Sequence, residues 1–185
     1  MKNLQAIKTV LVITFITIGS VGAFAASDSA SHDILLDVQE IAVIGLNDTS
    51  AITLTTANTI TAGQDPSQAT ADSDSSKLLH YTSVVQGGTT RNISVALGAS
   101  NVPAGTELAV EATNFPGAAN VGSSAGEVVL SNTASNLITG IGSTATGTGS
   151  SGVELTYRYR ITDYSALATD SDATVTVTYT LTDAS

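Results

Sequence analysis

Two stretches of this chain match catalytic spacings on paper. Gly122-Ser-Ser124-Ala-Gly126 fits G-x-S-x-G, the elbow that presents a nucleophilic serine on a sharp strand-to-helix turn. That chemistry requires a histidine after the serine, and none follows Ser124; Glu127-Val128-Val129-Leu130 reads as a strand where a helix is needed. A turn of small residues is the simpler reading. Gly147-Thr-Gly149-Ser-Ser-Gly152 fits G-x-G-x-x-G, which cradles a pyrophosphate only when a helix N-terminus follows. Here Val153 to Thr162 follows, alternating as a strand does. His32 stands in the lead and His80 in a strand pattern, so neither has a partner for acid–base or metal work. Glycoside hydrolysis by paired carboxylates calls for an aromatic-lined cleft, and only six aromatic residues follow position 25. No catalytic residue is assigned, and the chain is expected not to be an enzyme.

Two groups could instead bind. Asp72-Ser-Asp74 and Asp170-Ser-Asp172, with Asp163 near the second pair, are the only calcium candidates, and calcium wants about six to eight oxygens. Aspartate and serine build turns equally well, so no cofactor is expected beyond this weak candidate. Tyr157, Arg158, Tyr159, Arg160 and Tyr164 are the candidate ligand contacts, because a guanidinium fork grips carboxylate or phosphate. The arginines could equally be strand-surface charges opposed by Glu154 or by acids on a neighbouring strand.

Composition narrows the partners. The 185 residues carry six Lys and Arg against sixteen Asp and Glu, with no cysteine and no tryptophan. Disulfides and thiolate sites are excluded, and a net charge of −10 makes nucleic acid a poor partner. Lys2 and Lys8 precede an apolar run from Thr9 to Gly22 that closes on Ala23-Phe24-Ala25, the pattern of an export signal cut after Ala25. Ser27-Asp28-Ser29 stands where an anchor would need a basic flank. The expected organisation is therefore a signal peptide at 1–25, a flexible lead at 26–32 and one domain at 33–185. The expected location is secreted or cell-surface, or the periplasm of a two-membrane envelope, without membrane insertion after processing.

The elements that must position these residues are strands. Val175-Thr-Val177-Thr-Tyr179-Thr-Leu181-Thr alternates strictly, as do Leu155, Tyr157, Tyr159 and Ile161 with the polar residues between them. Weaker alternation marks Ala51–Thr55, Leu78–Val85, Thr90–Leu97, Thr106–Ala112, Glu127–Ser131 and Leu137–Ile141. No helical period appears. About eight or nine strands at this spacing predict a single all-β antiparallel sandwich. Loose loops are expected near 62–76 and 140–152, rich in Gly, Ser, Thr and Asp. In Asp33–Leu46 the apolar phase slips after Glu40, which predicts a bulge or a crossing near Gln39-Glu40.

The closing strand, Tyr179-Thr-Leu181-Thr-Asp183-Ala184, resembles the end of WxL domains, bacterial surface modules that associate noncovalently with cell wall, with tyrosine where the family has tryptophan. Glu107 to Ala112 and Val128 to Asn132 are loosely similar to that family's middle. The resemblance implies a noncovalent cell-wall or glycan-binding module. The residues themselves favour a structural reading: a surface or extracellular-matrix subunit that self-associates into filaments, or joins another surface protein, by β-strand addition. Ile34, Leu36, Val38, Ile41 and Val43 would then fill alternate pockets of the next subunit; pairing of that stretch within its own chain is the competing arrangement.

Overall fold

Alternation of Val, Leu, Ile and Tyr with Thr, Ser, Arg and Glu gives strands that each bury one face. The computed structural model describes residues 29–56, 61–68, 71–99, 102–167 and 173–184. The expected leader lies outside them, as do Asp170 and Asp172. The described residues hold ten strands in two antiparallel sheets and no α-helix, only short 3-10 turns at Pro66–Gln68 and Tyr164–Ala166. The strands are β1 (Ile41–Leu46), β2 (Asp72–Val84), β3 (Arg91–Leu97), β4 (Thr106–Thr113), β5 (Ser123–Ser124), β6 (Val128–Val129), β7 (Ser135–Ile141), β8 (Thr144–Ala145), β9 (Val153–Ile161) and β10 (Val177–Asp183). One sheet runs β1-β2-β9-β4-β6, with β8 also on β2; the other runs β10-β3-β7-β5.

The core lies between the inner faces. Leu79 and Tyr81 of β2, Leu155 and Tyr157 of β9, and Leu108 and Val110 of β4 share one cluster with Ile93, Val95 and Leu97 of β3 and Leu137, Ile138 and Ile141 of β7. This is the β-sandwich-like, all-β arrangement that the alternation predicts.

Several details differ from the sequence reading. Asp72–Ser76, expected in a loop, opens β2, because backbone pairing of Asp72, Ser73 and Asp74 with Tyr159, Arg158 and Tyr157 needs no apolar side chain. A bulge between Asp74 and Lys77 then resets the phase so that Lys77, Leu79 and Tyr81 point inward. Ala51–Thr55 takes no regular structure, although Ile52 and Leu54 pack half-buried against the core. Glu127–Ser131 shrinks to the two-residue β6, and the loop at 140–152 contains β8.

The first stretch divides where the phase slips. Residues 29–40 have no regular secondary structure, and β1 begins at Ile41, antiparallel to β2 with Ile41 opposite Val84 and Leu46 opposite Leu79. The half-buried residues of β1 are Ile44 and Leu46; Ile41 and Val43 are exposed. Val38–Ser185 is one compact unit, and residues 29–37 belong to a separate one.

Candidate functional site

The two matched glycine motifs are turn architecture. Gly122 has φ +88°, and a Cβ there would lie 2.7 Å from the Thr139 carbonyl oxygen and 2.8 Å from Ile141 Cγ1. Glycine is required because this turn lies against β7. Ser124 Oγ accepts from Gly126 N at 3.1 Å. In the second motif the carbonyl of Gly147 lies 3.0 Å from His80 Nδ1, and the chain turns directly into β9.

The described calcium candidates are engaged in hydrogen bonds with backbone N–H groups. Asp72 accepts from Thr55 N at 2.9 Å, Asp74 from Ser76 N at 2.9 Å, and Asp163 from Ser165 N at 3.0 Å at the start of a 3-10 turn. Those hydrogen bonds, from the hydroxyl and backbone of Ser165, hold the Asp163 carboxyl below its ordinary range. Among the described residues, no three His, Asp or Glu side chains gather as a metal would need.

The candidate ligand contacts do not share a surface. Arg158 and Arg160 lie on one face of β9, whereas Tyr157 points into the core and bonds the hydroxyl of Tyr179 at 2.6 Å, tying the two sheets together. Burial pushes both phenols up, and the adjacent Tyr157 adds to the rise at Tyr179. Tyr159 packs half-buried on the core, and Tyr164 is exposed in a loop turn. Arg158 donates to Glu111 at 2.9 Å and to Glu127 at 2.8 Å; Arg160 donates to Glu127 at 2.8 Å and also to Glu107. Their main partners, Glu111 for Arg158 and Glu127 for Arg160, raise both guanidinium pKa values, and Arg160 first holds the Glu127 carboxyl down. The acids on β4 thus oppose the arginines, one of the two arrangements the alternation allowed.

Two buried cations went unnoticed in the sequence. Lys77 is 6 % exposed and donates to Asp48 at 2.8 Å and to Ser50 Oγ at 3.0 Å; that bond first, then Ser50, holds the Asp48 carboxyl far below its usual range. Arg91, 4 % exposed, donates to Asp183 at 2.9 Å, Glu40 at 3.1 Å, the Val84 carbonyl at 3.0 Å and the Ile41 carbonyl. One guanidinium therefore joins the start of β1, the end of β2 and the end of β10, strands of both sheets. Its only sequence signal was charge at an inward position of an alternating strand. Glu40 also accepts from Gln86 N at 3.3 Å, so the chain is fastened where it enters β1. A shallow concavity of about 350 Å³, lined by Val38, Glu40, Val84, Val85 and Gln86, opens beside this point.

Upstream of that fastening stands the strongest anomaly of the surface. Ile34 is 69 % exposed, Leu35 96 %, Leu36 83 % and Val38 81 %. Scattered exposed aliphatics are ordinary, but four within five consecutive residues are not. Ile34, Leu36 and Val38 belong to the predicted assembly strand, whereas its Ile41 and Val43 sit on the outer face of β1, already paired with β2.

The residues that carry the WxL resemblance have intramolecular partners in this fold: Tyr179 bonds Tyr157, Asp183 pairs with Arg91, and Ala184 N donates to the Thr90 carbonyl at 2.9 Å. No family model, no curated protein and no solved structure matches the chain.

Proposed function

We propose that this chain is a non-enzymatic, exported structural protein, a surface or extracellular-matrix subunit that assembles by β-strand addition. The observation that carries the reading is the exposed apolar run Ile34-Leu35-Leu36 with Val38, outside any regular element and just before a fastened strand. Covering an aliphatic side chain of this size contributes about 1.5–3 kcal/mol, so three or four of them match the scale of the entropy that association costs. A new strand adds backbone hydrogen bonds, and alternate side chains set the register.

The test is the solution mass, by light scattering, of residues 26–185 and of the same chain with residues 29–39 removed. The deletion keeps Glu40, β1 and the Arg91 contacts, and a cooperative urea transition of the shorter chain checks that it folds. Multimers of the longer chain and monomers of the shorter one are expected. Equal masses would rule out donation by this segment.

A further inference from the structure

An extended donor needs an acceptor edge, and the two sides of this sandwich are not equivalent. On one side the edges are β5 and β6, two residues each, joined by only Ala125–Glu127, so the chain itself crosses from one sheet to the other. Edges that short offer almost nothing to pair with. On the other side the edges are β1 and β10, brought together at one end by Arg91. There the apolar residues are only half covered: Ile44 and Leu46 on β1, and Val177, Tyr179 and Leu181 on β10. Among the described residues, β10 has a single strand neighbour, β3, along its seven residues.

We infer that the free edge of β10 is the acceptor, and that its occupant is the segment Asp33–Gln39 of a second copy of this chain. The inference rests on the assembly reading above. Length agrees: with Leu36 opposite Tyr179, Asp33–Val38 of the donor faces Val177–Thr182 of β10, about 20 Å of strand. Direction agrees as well. β1 leaves the Arg91 end and β10 runs toward it, since Arg91 pairs with Glu40 ahead of β1 and with Asp183 at the close of β10. A donor taken up antiparallel to β10 of the next subunit would therefore run in the direction in which that subunit's own β1 leaves the Arg91 end. Side-chain phase agrees too. With Leu36 opposite Tyr179, Ile34 meets Leu181 and Val38 meets Val177, all toward the half-covered seam, while Leu35 lies outside opposite Thr180. Such a heterologous contact propagates into a filament unless its rotation closes a ring.

The chain has no cysteine, which makes pairing directly readable. Leu35→Cys in one tagged chain would be mixed during assembly with Thr178→Cys, Thr180→Cys or Thr182→Cys in a differently tagged chain, all four positions being exposed. Val129→Cys, on the β6 edge, is the comparison. Mild oxidation is expected to give a disulfide between the two tags with the β10 positions, strongest at Thr180, and none with Val129, because a disulfide needs Cα atoms within about 7 Å. Multimers that crosslink through Val129, or through none of the β10 threonines, would overturn the acceptor while leaving assembly standing. Absence of multimers in the unsubstituted chain would overturn both.

Discussion

Arg91 is the residue on which the most elements depend. Its ion pairs with Glu40 and Asp183 contribute little on their own, because both carboxylates are more than half exposed to solvent. What it supplies is a planar set of donors to the Ile41 and Val84 carbonyls and to acids at the ends of two sheets. Arg91→Met should therefore destabilise the fold by about 1.5–3 kcal/mol, read as a lower urea midpoint, and Arg91→Lys should recover only part of that. Glu127, like Asp48 and Asp163, contributes to the pH dependence of stability. Its carboxyl is held down by Arg160 and then Arg158, so the stability it contributes is complete above the ordinary glutamate pKa and is lost as pH falls through the lower folded value. Wild type and Glu127→Gln should differ in urea midpoint at neutral pH and converge well below about pH 4. The sequence announced Arg158 and Arg160 as notable but left their partners open, since cross-strand neighbours depend on strand order. Arg91 and Lys77 were silent because a buried charge looks like any strand charge until the acids that neutralise it, some 29 residues away for Asp48 and 92 for Asp183, are brought alongside.

At the scale of elements, period-two alternation located every long strand, because a half-buried strand repeats its environment at each second residue. It failed where pairing is held by backbone alone. Asp72–Ser76, β5 and β8 carry Asp, Ser, Thr and Ala, with no apolar signal, and each is a strand only because a neighbour offers hydrogen bonds. It also failed at Ala51–Thr55, which alternates and packs but takes no regular structure. Gly122 shows how a motif can be right in composition and wrong in meaning. The residue is glycine because the turn into β5 lies against β7, so Gly122→Ala should cost roughly 2–4 kcal/mol through positive φ and overlap with the Thr139 carbonyl and Ile141. Ser124→Ala, which loses only the bond from Gly126 N in a part-buried turn, should change the urea midpoint far less. A catalytic elbow would give the opposite ranking in an activity assay; a turn gives this one in a stability assay.

For the whole molecule, the half-covered seam between β1 and β10 and the exposed Ile34–Val38 run are two deficits of burial, and pairing them between copies offsets both. An acidic chain of net charge −10 resists nonspecific association, which leaves assembly to a contact with defined register. Leu36→Asp should abolish multimers while leaving the stability of the dissociated subunit within about 0.5 kcal/mol of wild type, because Leu36 contributes nothing to the core of its own domain. The most direct measurement is amide hydrogen exchange of residues 34–39 in assembled and dissociated protein. Slow exchange in the assembled state, at least about a hundredfold below the dissociated subunit and matched by slower exchange along β10, is the predicted result. Rapid exchange of these amides in stable multimers would contradict strand addition by this segment.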